Sequence, residues 1–552
     1  MEKFTKKLLV FFLILILCKI ILSFFIHAPS VFSDEYVYSK LARSIWINHD
    51  FSVHNIAINQ QLPLYPFLLS WLYLFQKIPI IYFSIKVLNT VLLSSLVFPV
   101  FFLAKEFVEE KNAFFAAILI SFLPVVFVTS FYIMAENLFY LLAFWWVFLL
   151  YKSFKERNKK YFILSGFLLG LSFLTKFNGL VLVPVCLFVY LLYKENNLKN
   201  ITIYYTVALL TVLPWLIRNG LIFGFNLGGL VGQYGTSAGK LQVNLTQLLL
   251  PFFNWLLLYS VYLLLASGIL FGVCALLSMK IDDKELKLLT TIILTTTTFF
   301  VISAANQSSS FRIFFESPFS FFTQRPIGRY VEAILPSLVL LGFISCEKLK
   351  IQTLSKKCIT FLSFFFLAAS QLTIAPLFPF NNSSLSFFGA IKYISDILFT
   401  GSFVDTKIVY GSFFVLAAFL SLLPWIFLKK NNWKKLILYF FLLSSLLACA
   451  VTYQNGKIWY HSEQMQLGLE IEKLEGKIVL FDERDCKEKL YKEEKEGICE
   501  LSKKATITGF WVNKEIKIGD VYTEKADLII SKHRLNMKTV KDINDEIFVY
   551  QS

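Results

Sequence analysis

The sequence predicts an α-helical polytopic membrane protein of about 13 transmembrane helices followed by a small C-terminal α/β domain. Three observations carry that prediction. First, 57% of the 552 residues are hydrophobic and only 16% are charged, against roughly 25% charged in a soluble domain. So few polar groups cannot cover a soluble surface, which excludes an ordinary cytosolic enzyme and a disordered chain. Second, apolar stretches approaching the ~20 residues needed to cross a bilayer recur along the chain. Third, the apolar character stops near residue 453. Residues 1–453 carry a net charge of +18 and residues 454–552 a net charge of −2. The basic excess therefore belongs to the apolar part, where it orients helices, and does not mark a nucleic-acid-binding protein.

Taken in order, the candidate spans are 8–26, 87–104, 113–131, 138–151, 161–174, 179–193, 201–217, 251–279, 288–305, 330–346, 358–377, 408–428 and 436–453. The pair 161–174 and 179–193, separated by TKFNG, also reads as one tight hairpin. With a cytoplasmic N-terminus, the inside segments hold 23 Lys/Arg and the outside loops before the tail hold 12. This bias orients the chain and puts the tail on the outside. The first span contains Lys19 and lacks a small-residue cleavage site, so it reads as an anchor and not as a signal peptide. The expected location is the plasma (inner) membrane.

The spans divide the chain into a transmembrane domain, 1–453, and an extracytoplasmic α/β domain, 454–552. The inside loops are short and basic. The outside loops 27–86, 218–250 and 306–329 are long, and 27–86 contains aromatic-rich stretches suited to helices lying in the interface. Chemistry is therefore expected on the outer face. In the tail, 477–483, 505–512, 526–533 and 546–550 read as strands, and 469–475 and 484–497 as helices. Cys486 and Cys499 could pair in an oxidising compartment. No CxxC, HExxH or His cluster marks a structural metal, and no Walker A or usable GxGxxG marks nucleotide chemistry. NxS/T triplets begin at Asn244, Asn306, Asn381 and Asn382.

Five outward segments could carry chemistry. Asp34-Glu35, directly after the first span, could bind a divalent metal ion or activate a hydroxyl as general base, or could simply cap a helix. Glu136-Asn137 puts an acid in an otherwise apolar hairpin edge. Lys176, between two short helices, is either a snorkelling anchor or a phosphate-binding cation. Arg218-Asn219 and the group Arg325, Arg329 and Tyr330 offer guanidinium groups suited to bidentate phosphate recognition or to lipid headgroups. Acids beside several cations suit a general base and a phosphate-linked donor.

These segments resemble the GT-C superfamily of membrane glycosyltransferases, in particular the branch of family 39 holding protein O-mannosyltransferases and the lipid A aminoarabinose transferase. The acidic pair Asp34-Glu35, the stretch Leu62-Pro63-Leu64-Tyr65, ENLFYLL at 136–142, GFLLGLSFLTKFNGL at 166–180, PWLIRN at 214–219 and GRYVEAILP at 328–336 carry the resemblance in order and spacing over about residues 1–345. The resemblance implies an inverting transferase that uses a polyprenyl-phosphate sugar. Asp34 would be the general base, and Glu35 its support or a metal ligand. Tyr65, Glu136, Asn137, Lys176, Arg218, Asn219, Arg325, Arg329 and Tyr330 would line the substrate. Two departures stand out: Gln60-Gln61-Leu62 occupies the place of the aminoarabinose branch's Lys, and the double proline is reduced to Pro63. The acceptor, whether lipid, glycan or protein, does not carry over from either branch. A transporter or flippase of a polyprenyl-linked glycan would show repeats and midplane charges. An outer-face glycan ligase or polymerase would show His in a late loop between spans, where none of the five His lies.

Overall fold

The computed structural model describes residues 2–30, 32–54, 56–193, 198–232, 245–311, 327–349, 382–387, 433–460, 462–482, 506–531, 533–543 and 547–551. The expected spans 358–377 and 408–428, Arg325, Asn244, Asn381, Cys486, Cys499 and the 484–497 helix lie outside the described residues.

In chain order the helices are α1 (Glu2–Phe24), α2 (Phe32–Ile47), α3 (Leu64–Ser70), α4 (Ile78–Ser94), α5 (Val97–Lys105), α6 (Glu110–Ser121), α7 (Pro124–Val128), α8 (Glu136–Glu156), α9 (Lys159–Thr175), α10 (Val183–Tyr193), α11 (Leu198–Phe223), α12 (Leu227–Val231), α13 (Leu245–Ala266), α14 (Leu270–Leu277), α15 (Lys284–Phe311), α16 (Leu335–Lys348), α17 (Trp433–Tyr460) and α18 (Glu463–Lys473). The strands are β1 (Ser52–Val53), β2 (Ile56–Ala57), β3 (Ile478–Asp482), β4 (Glu515–Gly519), β5 (Leu528–Ser531), β6 (Lys538–Ile543) and β7 (Ile547–Gln551).

Among the described residues six helices are long and apolar enough to cross a membrane, and eight if two bent pairs each count as one span. The bends fall where the sequence interrupts the backbone ladder: 66° at Pro124, between α6 and α7, and 111° at Gly268-Ile269, between α13 and α14. The expected spans 161–174, 179–193 and 330–346 are the shorter helices α9, α10 and α16. The second span begins earlier than its apolar run, because Lys86, written into the outer loop by its charge, lies inside α4.

The chain forms two compact units. The first comprises residues 1–21, 89–131 and 135–452. Its α9 and α11 approach closely through small residues: a Cβ on Gly166 would stand 2.3 Å from the Tyr204 carbonyl oxygen, and one on Gly170 2.6 Å from the Thr211 Cβ. This GxxxG spacing lets backbones touch where hydrocarbon gives helices no hydrophobic reason to associate. At one end of the unit, loops that the charge bias assigned to a common side are joined by ion pairs. Lys155 bridges Glu106 at 2.8 Å and Glu285 at 2.6 Å, Lys348 meets Asp283 at 2.5 Å, and Lys434 meets Glu347 at 2.9 Å.

The second unit comprises residues 22–88, 132–134 and 453–552. Its five-stranded sheet has the order β4-β3-β5-β7-β6, with β3 parallel to β4 and β5, and β7 antiparallel to β5 and β6. Alternate residues bury both faces: Val479, Phe481, Leu528 and Ile530 pack with Leu467 and Ile471 of α18, while Leu480, Ile529, Phe548 and Tyr550 pack on the other side. One strand expectation is corrected. Residues 506–510, in the run expected as a strand over 505–512, are helical, and the strand follows at β4. Thr508 to Val512 are buried one after another, so the run lacks the alternating solvent face of a half-buried strand.

Replacing Gly170 by Leu should drive α9 from α11 and destabilise the protein by about 1–3 kcal/mol, read as a lower Tm in detergent. An unchanged Tm would show that the close approach contributes nothing.

Candidate functional site

In the second unit the acidic pair divides. Asp34 and Glu35 both open the first turn of α2, where the positive end of the helix dipole favours carboxylates. Asp34 is half-buried. Glu35 is fully buried and accepts a hydrogen bond from the Ile133 backbone N–H at 2.9 Å. Lys86 lies within electrostatic reach of Glu35 and donates to the carbonyls of Ser23, at 2.6 Å, and Ile26. Successive helical residues point about 100° apart, so one carboxylate can face outward while its neighbour anchors the helix. Among the described residues no group of three or more His, Cys, Asp or Glu side chains is close enough to hold a metal.

The rest of α2 is tied to the tail. Lys40 donates to the Val512 carbonyl at 2.5 Å, and Arg43 to the Asn513 carbonyl at 2.9 Å. Asn513 in turn donates to the Gln76 carbonyl at 2.7 Å and, through its backbone N–H, to Glu472 at 2.8 Å. Burial pushes the Lys40 ammonium well below its ordinary range; the Arg43 charge adds to this and Glu472 opposes it. Tyr36 shares a 2.6 Å hydrogen bond with His54 Nε2. Burial, reinforced by the Lys40 charge, pushes His54 down to about 3. Tyr65 is fully buried, its ring edge-on to Tyr38 at 5.3 Å.

In the first unit Lys176, at the C-terminal cap of α9, forms a 2.6 Å ion pair with Glu136 at the N-terminus of α8. Their side chains are 17% and 4% exposed, so Lys176 is a largely compensated charge. Asn137 is fully buried. At the C-terminal end of α11 the Arg218 guanidinium lies 4.8 Å from the Trp215 ring centre and donates to Asn219 Oδ1 at 2.8 Å, while Asn219 donates to the Leu230 carbonyl at 2.9 Å. Arg329 and Tyr330 form a 3-10 turn with Gly328. Asn178, two residues after Lys176, donates to the Tyr330 carbonyl at 3.2 Å and so links the Lys176 and Arg329 segments. Buried Glu332, next to this turn, lies within electrostatic reach of Glu136. The Tyr140 hydroxyl is in reach of Glu136, Glu332 and Arg329.

Lys86, in the second unit, and Glu332, Tyr262 and Asn382, in the first, take part in these contacts and are not among the expected site residues. For Lys86 and Glu332 the signal was present, since a charge inside an apolar run is expensive unless partnered. Asn382, which opens an NxS/T triplet, is fully buried and accepts from the Gly328 N–H at 3.0 Å.

Two outcomes are expected. Glu136→Gln or Lys176→Met alone strands a charge, which costs about 3–5 kcal/mol in a fully buried pair and less here because Lys176 is partly exposed; the double variant should recover most of the lost Tm. For His54 the folded-state value lies below the ordinary 6.5, so its contribution is complete above pH ~6.5 and is lost as the pH falls toward ~3. Thermal unfolding at pH 7 and 5 should therefore show a larger Tm loss in the wild type than in His54→Gln, and equal losses would refute the assignment.

Residues 61–217 match the family model described as dolichyl-phosphate-mannose-protein mannosyltransferase. No curated protein sequence matches the chain. Among solved structures, ArnT from Cupriavidus metallidurans bound to undecaprenyl phosphate superposes with a TM-score of 0.54 at 11% identity, covering 98% of this chain and 97% of that one. The apo state of the same enzyme superposes with a TM-score of 0.50 at 12% identity, covering 99% and 98%. The chain thus shares its fold with ArnT, and over 61–217, the segment that contains the motifs at 62–65, 136–142 and 166–180, its resemblance to the membrane mannosyltransferases holds.

Proposed function

We propose that this protein is an inverting glycosyltransferase that moves a sugar from a polyprenyl-phosphate donor to a lipid, glycan or protein acceptor on the outer face of the membrane. The observation that carries the reading is the division of labour in the acidic pair: Glu35 is committed to the Ile133 N–H, while Asp34, beside it on a fixed helix, is only half-buried. The family match over 61–217 and the fold shared with an enzyme crystallised with undecaprenyl phosphate support the donor class.

In this reading Asp34 accepts the proton of the acceptor hydroxyl as its oxygen attacks the anomeric carbon. The bond from that carbon to the phosphate oxygen breaks in line, the electron pair leaves with the polyprenyl phosphate, and the configuration inverts. Arg329, Arg218 and Arg325 are the cations for the leaving phosphate. Lys176, shared with Glu136, supplies a weaker field, and Tyr65, Asn137, Asn219 and Tyr330 shape the surroundings. Were a divalent ion to take part, Asp34 would be the residue to hold it, and the ion would supply charge neutralisation at the leaving phosphate. The topology that goes with this reading has thirteen crossings of the plasma membrane, a cytoplasmic N-terminus and an extracytoplasmic C-terminal α/β domain over 454–552.

The decisive measurement is sugar transfer from a polyprenyl-phosphate donor by purified protein in detergent, with EDTA reporting on the cation. Asp34→Asn should retain the wild-type Tm and lose at least about 10³-fold in rate. Wild-type transfer by this variant would sink the assignment, and glycan movement across vesicles without transfer would favour a flippase.

A further inference from the structure

The three-residue turn that carries Arg329 is held by side chains from three other segments. A 3-10 turn this short makes few hydrogen bonds of its own, so its backbone position is set by its neighbours. The Ile327 N–H donates to the Tyr259 hydroxyl at 3.3 Å, the Gly328 N–H to Asn382 Oδ1 at 3.0 Å, and Asn178 Nδ2 to the Tyr330 carbonyl at 3.2 Å. Just beyond the turn, Glu332 Oε1 accepts from the Tyr262 hydroxyl at 2.6 Å and from the Ser384 N–H at 3.2 Å. Tyr259, Tyr262, Glu332 and Asn382 are each no more than 2% exposed. Gly328 is required by the fit: a Cβ there would lie 2.0 Å from the Tyr262 hydroxyl oxygen and 2.1 Å from its Cζ. The Tyr262 ring thus presses on the turn from one side and, through Glu332, ties the start of the 335–348 helix to it. Asn382 and Ser384, distant in sequence, meet the Gly328 N–H and Glu332 Oε1.

We propose that Tyr262, Glu332 and Asn382 are positioning residues that fix the Gly328–Tyr330 turn so that Arg329 meets the phosphate of a polyprenyl-linked donor already oriented. The inference rests on the donor assigned above and adds residues to it. Its physical basis is that a guanidinium stabilises phosphate charge most when its direction is set before the ligand arrives.

Binding of undecaprenyl phosphate to the full-length protein in detergent micelles, followed by tryptophan fluorescence with Tm recorded in parallel, tests this. Tyr262→Phe, which keeps the ring and removes only the hydroxyl, and Glu332→Ala should each weaken Kd about tenfold or more. Glu332→Gln, which keeps the acceptor for Tyr262 and Ser384, should bind within about twofold of wild type. In a cycle with Arg329→Ala, adding Tyr262→Phe should bring no further weakening, because the clamp acts through that arginine; a merely structural role would weaken both backgrounds alike. Wild-type affinity in folded Tyr262→Phe, equal losses in Glu332→Gln and Glu332→Ala, or additive losses in the cycle would each overturn the inference. Should Glu332→Ala fail to fold, Tyr262→Phe and the cycle still decide. Absence of wild-type binding is a separate result, which overturns the donor assignment and the positioning role with it.

Discussion

An apolar interior cannot leave a charge or a backbone polar group unpartnered, and this constraint organises the protein. An unpaired polar group in such surroundings costs several kcal/mol. The buried ionisable groups accordingly sit where the chain exposes complementary atoms. Lys19, fully buried in α1, donates to the Val126 carbonyl at 2.8 Å. That carbonyl belongs to the five-residue helix α7, just before the helix tightens into the 3-10 turn Thr129–Phe131. Lys86 does the same for the carbonyls of Ser23 and Ile26, where α1 ends. Glu35 takes the Ile133 N–H from the irregular stretch ahead of α8. In each case a charge and a break in regular structure satisfy one another, so charges and helix breaks occur together.

The same logic explains the character of the candidate site. Glu136–Lys176 and Glu332–Tyr262 are complete pairs inside the first unit. Around them the chain is unwound into short 3-10 turns at Phe177–Leu182, Gly328–Tyr330 and Glu332–Ile334. Irregular backbone at such a place is tolerated because side chains such as Asn178 and Asn382 take up its amides and carbonyls. A buried, hydrogen-bonded polar cluster results within an otherwise apolar unit. In the second unit the helix carrying Asp34 is fixed by Lys40 and Arg43 to the backbone at Val512 and Asn513. The soluble-looking tail and the first outer loop are therefore one structural element.

Much of this was legible in the residues. Long apolar runs, the cation bias and the change of composition near residue 453 specify a helical membrane protein with an α/β tail, because hydrophobic length and period are local properties of the chain. The acidic pair, the Lys176 segment and the GRY segment were visible as polar groups at the edges of apolar runs. Less legible were short helices, bends and the tail segment 505–512, expected as a strand, in which residues 506–510 are helical.

What the sequence determined by itself was the solvent each segment prefers, and hence the class of fold and the short list of polar residues with a reason to exist. Only the tertiary structure decided their partners. It separated Asp34 from Glu35, paired Lys176 with Glu136, buried Asn382 against the Gly328 N–H, and joined α2 to residues about 470 positions away. The physical reason is that hydrophobicity acts residue by residue and is additive along the chain. Pairing of charges and hydrogen bonds depends on distances between segments far apart in sequence, and those distances are set only when the helices pack.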